Sequence, residues 1–116
     1  MNEDRKYVAL SIKHTSFRWR YGKPCILWGY HQTKDDEPRC FADYTIYLDK
    51  AERYSIEDFI NKGYTEDTVK REPVQMCQDL CKKYKKYDTV LVEYKDYKKY
   101  CETFLIATSR SEVSDE

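Results

Sequence analysis

An alternating run of aromatic and basic residues, Phe17-Arg-Trp-Arg-Tyr21, is the part of this chain best suited to chemistry. Arginine binds phosphate or carboxylate groups through its planar guanidinium, and flat aromatic rings stack on exposed bases. If the run is a β-strand, the arginines project from one face and the rings from the other. We therefore expect a partner-binding site on this run and its neighbours. The candidate residues are Arg18, Trp19, Arg20, Tyr21, Lys23 and His31.

The charge around this run is strongly segregated along the chain. Residues 5–34 contain seven Lys or Arg and no Asp or Glu, whereas residues 35–67 contain ten acids against four bases. The formal net charge of the whole chain is zero. Segregation of this kind indicates a positive face, which attracts a negative partner through its local field rather than through total charge. The alternative is that the three rings pack in the core and the two arginines are only solvated.

A second basic region follows in the last third of the chain. Lys82, Lys83, Lys85 and Lys86 form a secondary basic patch at the end of a predicted helix. Cations at that position complement the helix dipole, so a local structural role accounts for some of them.

The cysteines and histidines are the residues that could serve as metal ligands or nucleophiles. Cys77 and Cys81 are four residues apart and would share a face of a helix. A structural zinc site needs two further ligands in a compact pair, and the remaining cysteines and histidines are scattered, so we expect buried thiols and no metal. An odd count of five cysteines favours reduced thiols over a disulfide framework.

Catalytic chemistry is not expected. A pair of Cys25 with His31, or Cys40 with His14, would need hydrogen-bond contact and an orienting third group. The acids of residues 35–37 stand in a row on a predicted loop, where they keep the loop solvated rather than surround one cation. The three glycines are isolated, so no phosphate-binding loop is present. We expect a protein that is not an enzyme, with no catalytic residues and no cofactor.

The first half of the chain has the pattern of an antiparallel sheet. Apolar and polar residues alternate over residues 8–12 and again over 17–21, which predicts two strands joined as a hairpin. Further strands are predicted over residues 25–30 and 39–47, the latter rich in aromatic and β-branched residues.

The second half is predicted to be mainly helical. Ser55 and Gly63 match an N-cap and a C-terminal glycine around a short helix, and Asp58 adds a capping-box signal. Pro73 suits the first turn of a second helix, whose buried stripe runs from Val74 to Tyr84. A fifth strand over residues 88–94 and a terminal helix over 95–104 follow. In the terminal helix the residues predicted to share one face are Tyr97, Tyr100, Cys101 and Phe104.

Together these elements predict an α+β fold: a small antiparallel sheet of four to five strands with two to three helices packed on one face. We expect residues 1–108 to form a single domain and residues 109–116 a polar, disordered tail. No apolar run approaches the length of a membrane span, and no signal-like segment follows the charged N-terminus. A cytoplasmic location without membrane contact is therefore expected, with the protein a monomer or a homodimer.

Four segments resemble small uncharacterised proteins encoded by phages and mobile elements of low-GC Gram-positive bacteria. The segments are Leu10-Ser-Ile-Lys-His-Thr15, Leu27-Trp-Gly-Tyr-His-Gln-Thr33, Tyr44-Thr45 and Leu48-Asp-Lys-Ala-Glu-Arg-Tyr-Ser55. Some small proteins of such elements are anti-defence factors, including anti-CRISPR inhibitors. The resemblance implies a non-enzymatic inhibitor that binds a host defence protein, with a CRISPR-Cas nuclease as the first partner to test, in the cytoplasm of the bacterial host. A nucleic-acid-binding module and a sponge for a charged nucleotide signal, with Arg18, Arg20 and His31 around its phosphate, are the alternatives.

Overall fold

Two apolar strands form the centre of the structure, a computed structural model that describes residues 5–34 and 36–110. These strands, β1 (Tyr7–Ser11) and β6 (Thr89–Glu93), pair antiparallel over all five residues. Every residue of β1 is buried and four of the five in β6 are, so both faces of this pair are covered. The consecutive apolar residues 7–10 and 90–92 at the centre of the two strands are what such double-sided burial requires.

Four two-residue strands complete a mixed sheet. They are β2 (Leu27–Trp28), β3 (Tyr44–Thr45), β4 (Arg53–Tyr54) and β5 (Val69–Lys70). The strand order is β3-β2-β1-β6-β5, and β4 also pairs with β1. All pairs are antiparallel except β5 with β6, which is parallel.

The helices are short, apart from the last. They are α1 (Ile12–Thr15), α2 (Ile56–Lys62), α3 (Leu80–Lys83) and α4 (Tyr94–Thr103), with a 3-10 turn at Leu48–Lys50. No helix among the described residues is long and apolar enough to cross a membrane.

The alternation of side chains along β1 divides the core into two clusters. Val8 and Leu10 belong to the larger cluster, which α3 and α4 cover. Tyr7 and Ala9 belong to a smaller, aromatic cluster, to which α2 contributes Phe59. Because successive strand residues point to opposite faces, the two clusters lie on opposite sides of the sheet.

The α+β class is confirmed, with differences in detail. In the described residues the sheet has six strands, and it is mixed because β5 pairs parallel to β6. Four helices are present in the described residues, and α2 packs on the face opposite α3 and α4. Of the predicted tail, residues 111–116 lie outside the described residues.

The elements with strong local signals are where the sequence predicts them. Helix α2 begins after Ser55, whose hydroxyl accepts the Asp58 N–H while the Asp58 carboxylate accepts the Ser55 N–H, and it ends at Gly63 with φ of 95°. The terminal helix α4 buries Tyr97 and Tyr100 as expected. The strand predicted over residues 88–94 is β6.

Two predicted elements are wrong. Residues 17–21 form turns, so the arginines and rings of this run do not lie on two faces of a strand. The helix predicted from Pro73 begins only at Leu80, and Val74 instead donates its N–H to the Leu91 carbonyl of β6. Cys77 therefore precedes α3 instead of sharing a helical face with Cys81.

Candidate partner-binding site

The predicted site lies on a loop, residues 16–24, which we call the basic loop. It leaves α1 through Ser16, whose φ of 81° is unusual for a residue other than glycine. Two turns shape it: Trp19 donates its N–H to the Ser16 carbonyl at 3.1 Å, and Lys23 donates to the Arg20 carbonyl at 3.1 Å. These bonds give the loop a defined shape without strand pairing.

Helix α4 fixes the basic loop through the hydroxyl of Tyr100. This hydroxyl accepts the Gly22 N–H at 2.9 Å and donates to the Lys23 carbonyl at 2.6 Å. Burial raises the pKa of Tyr100, so the hydroxyl keeps the proton that it donates. The Trp19 indole N–H donates to the same Lys23 carbonyl at 3.0 Å. The loop is thus held by Tyr100 from α4 and by Trp19 from within the loop.

Aromatic rings at the end of α4 pack against the basic loop. Tyr21 packs edge-on against Phe104 with ring centroids 4.9 Å apart, and its ring centroid lies 5.4 Å from that of Tyr100. Gly22, with φ of 99°, passes directly over Phe104, where an added β-carbon would lie 3.2 Å from the ring. The close approach explains why glycine occupies this position.

Phe17, Arg18 and Arg20 are among the exposed side chains of the loop. Phe17 is 69% exposed, which is unusual for so large an apolar side chain. Arg18 and Arg20 are exposed on either side of half-buried Trp19. Neither guanidinium forms an ion pair within the described part of the chain. The loop therefore presents an apolar ring beside two unpaired cations.

The loop and the start of α3 enclose a groove of about 530 Å³, which we call the basic groove. Lys82 of the secondary patch lines it opposite the loop, and Asp79 supplies a single acid. Lys82 therefore lies at the same surface as Arg18 and Arg20, although more than sixty residues separate them in sequence. The lining residues that carry the argument are Phe17, Arg18, Arg20, Tyr21, Asp79 and Lys82.

Other predicted site residues lie elsewhere. Lys23 is exposed on the basic loop but does not line the groove, and His31 lies beyond the other end of β2. Lys83 and Lys86 rest over the rings of their neighbours Tyr84 and Tyr87, with their ammonium nitrogens 5.6 and 4.9 Å from the ring centroids. Exposed Lys85, like these two, does not line the groove.

The thiols and histidines are not arranged for nucleophilic catalysis. Cys25 is fully buried, and burial raises the pKa of its thiol far above neutral. Burial likewise raises the pKa of Cys81 to about 11, so both stay protonated at neutral pH. No Cys–His hydrogen bond occurs among the described residues: Cys40 donates to the Ala42 carbonyl and His14 bonds to Ser11. Residues 5–34 and 36–110 contain no metal-binding group of three His, Cys, Asp or Glu.

Sequence reasoning missed a buried ion pair that organises the loop between β2 and β3. Arg39 and Glu52 lie 3.3 Å apart with side chains 3% and 1% exposed. The Glu52 carboxylate also accepts the backbone N–H groups of Thr33 and Cys40, both at 2.9 Å. The Arg39 guanidinium in turn donates to the carbonyls of Thr33 and Arg53. No local sequence pattern predicts this ion pair, because Arg39 and Glu52 are thirteen residues apart in sequence.

Comparisons with protein-family models, with curated protein sequences and with solved structures find no match for this chain. The candidate site therefore has to be interpreted from its own geometry.

Proposed function

We propose that this protein is a non-enzymatic binding protein that blocks a host defence complex through the basic loop, with a CRISPR-Cas nuclease as the first partner to test. The observation that carries the proposal is Phe17, exposed between α1 and the two unpaired arginines on a loop already fixed by Tyr100. Hot spots of protein interfaces combine such an aromatic or arginine anchor with a rigid support. A loop held in one shape before binding loses little entropy when the partner arrives.

The charges of the basic groove support an acidic protein surface as the partner. Arg18, Arg20 and Lys82 supply three cations, and each can pair with a carboxylate. Asp79 lies among them and matches a cation on a protein partner, whereas it would repel a phosphate backbone. The exposed ring of Phe17 matches an apolar pocket.

The resemblance to proteins of phages and mobile elements suggests which partner to test. A small inhibitor of a large nuclease needs only one tight contact surface, and a standard interface buries about 800 Å² on each partner. The chain has 116 residues and a solvent-accessible surface of 7487 Å² over its described residues. An interface of that size would cover about a tenth of this surface.

Direct binding of nucleic acid is the second candidate function, because three cations and two exposed rings line one groove. It predicts an affinity for DNA or RNA that falls steeply with salt as counterions are released. The protein-partner proposal predicts no such binding at physiological salt. A mobility-shift titration at 50 mM and 200 mM salt distinguishes the two.

Affinity capture tests the proposal. The tagged protein is incubated with lysate of a Gram-positive host, and retained proteins are identified by mass spectrometry. We expect a nuclease or another defence protein with the wild type, and its loss with an Arg18→Ala/Arg20→Ala variant. A Lys50→Ala/Lys98→Ala variant removes the same charge from exposed positions outside the groove and is expected to retain the partner. Capture of no defence protein, or equal capture by both variants, would contradict the proposal.

A further inference from the structure

A second, smaller pocket lies beside the aromatic core cluster, and Trp28 and Tyr64 belong to both. It has a volume of about 190 Å³, below the range typical of drug-sized ligands, and so has room for one ring system. None of its lining residues lines the basic groove. The residues of the pocket that carry the argument are Lys13, His14, Trp28, Tyr44, Tyr64 and Asp88.

Aromatic rings form the walls of this pocket. His14 stacks on Tyr44 with ring centroids 4.2 Å apart and planes tilted by 37°. Trp28 meets Tyr64 edge-on at 5.3 Å. Burial and the nearby Tyr44 raise the pKa of Tyr64, so its hydroxyl is neutral and can donate. Flat walls of this kind suit a planar heteroaromatic ligand.

The mouth of the pocket carries charges of both signs. The Asp88 carbonyl accepts the backbone N–H groups of Ile12 and Lys13 at 2.8 and 3.2 Å, which fixes the start of α1 beside β6. Although these two segments of the chain are hydrogen-bonded to each other, no ion pair joins the Lys13 and Asp88 side chains in the described residues. Both side chains are exposed and available to a ligand.

His14 is held so that one ring nitrogen is left for a ligand. The Ser11 hydroxyl accepts the backbone N–H of His14 at 3.1 Å and lies 2.9 Å from its Nδ1. Because Nδ1 is occupied, Nε2 is the nitrogen that can bond to a bound molecule. His14 and Lys13 together offer an anion two donors at the pocket mouth.

We propose that this pocket binds a guanine mononucleotide, with the base between the aromatic walls and the phosphate on Lys13 and His14. The base stacks on Tyr44 and Trp28, and the Asp88 carboxylate accepts hydrogen bonds from the two N–H donors of the guanine edge. Adenine presents a ring-nitrogen acceptor where guanine presents a donor, so a carboxylate disfavours it. A simple organic cation fits less well, since the Lys13 ammonium would repel it.

Calorimetric titration of the full chain with GMP, AMP and inorganic phosphate tests this site. We expect GMP to bind, AMP to bind at least about tenfold more weakly, and phosphate alone to bind more weakly still, since one charged hydrogen bond has about this value. GMP is also expected to raise the melting temperature in a concentration-dependent manner.

Variants assign the response to the pocket. His14→Ala and Tyr44→Leu are each expected to weaken GMP binding about tenfold, and Asp88→Asn to reduce the preference for GMP over AMP. The Arg18→Ala/Arg20→Ala variant is the control and is expected to bind GMP like the wild type, which separates this site from the basic groove. The proposal is overturned by a wild type that binds no GMP, by equal affinity for GMP and AMP, or by GMP binding that survives both His14→Ala and Tyr44→Leu.

Discussion

The Tyr100 hydroxyl lies 2.6 Å from the carbonyl oxygen of Lys23 and donates to it, while accepting the Gly22 N–H. One side chain of α4 thus satisfies two backbone groups of the basic loop. We expect Tyr100→Phe to lower the free energy of unfolding by about 1–3 kcal/mol, because both backbone groups lose a partner in a part-buried site. Urea denaturation measures the loss. Tyr84→Phe, at a half-buried tyrosine whose hydroxyl has no hydrogen bond in the described residues, is expected to change stability by under about 0.5 kcal/mol. Equal effects of the two substitutions would contradict this role of Tyr100.

Gly29 and Gly63 allow the steric cost of an added β-carbon to be compared at two positions of similar backbone conformation. Both have positive φ, 87° and 95°, but their surroundings differ. A β-carbon at Gly29 would overlap the Tyr54 hydroxyl and lie 2.6 Å from Glu52 Cβ, whereas Gly63 has nothing within 4 Å. Gly63→Ala is expected to cost about 1 kcal/mol from backbone strain alone, and Gly29→Ala several times as much. Thermal unfolding of the two variants compares them, and a Gly29→Ala cost no greater than that of Gly63→Ala would refute the steric argument.

The buried Arg39–Glu52 pair is expected to be costly to break. Glu52→Ala leaves a guanidinium that is 3% exposed without its carboxylate. We expect a loss of about 3–5 kcal/mol, a large share of the roughly 5–15 kcal/mol by which a typical domain is stable. Glu102→Ala, at an exposed position on α4, is the control and is expected to be nearly neutral. Urea denaturation midpoints measure the stability of the two variants. Similar midpoints would show that the Arg39–Glu52 pair contributes little to stability.

Asp58 gives the fold a defined dependence on pH. Burial opposes ionisation of this carboxyl, but hydrogen bonds from Arg5 and Ser55 outweigh it and lower the pKa of Asp58 below its ordinary value. A carboxyl with a lower pKa in the folded state stabilises the fold above the unfolded pKa, about 3.9, and loses that contribution as pH falls through the folded pKa. We therefore expect Asp58→Asn to cost about 1–2 kcal/mol at pH 7.

The difference between wild type and Asp58→Asn is expected to shrink as the pH is lowered below about 4. Urea denaturation at pH 7 and pH 3 measures it, with Asp67→Asn as an exposed control. A difference that stays constant over this range would show that the ionised carboxylate is not the stabilising species.

The parts of the fold that could be predicted are those whose signals are local. The capping box of Ser55 and Asp58 and the terminating Gly63 lie within nine residues and require no tertiary information. The strands β4 and β5 were not predicted, because two-residue strands form only by pairing with β1 and β6. A tertiary hydrogen bond from the Val74 N–H to the Leu91 carbonyl also occupies the segment where Pro73 is expected to begin a helix, and α3 starts only at Leu80.

The candidate site illustrates the same division. The residue types of 17–21 point to binding, but their alternation mimics a strand. In the structure the run is a loop: the half-buried Trp19 donates its indole N–H to the Lys23 carbonyl, while Phe17 and the two arginines are exposed. The contribution of Lys82 depends on the packing of α3 beside the loop, which no sequence pattern describes.

The affinity of the captured defence protein for wild type and Phe17→Ala is the most direct test of the binding role of the basic loop. Surface plasmon resonance with purified components gives both dissociation constants, and Ile60→Ala, at an exposed apolar residue on α2, serves as the control. We expect Phe17→Ala to weaken binding about thirtyfold or more, the loss typical of a hot-spot aromatic, and Ile60→Ala to bind like the wild type. An unchanged dissociation constant for Phe17→Ala would contradict the account.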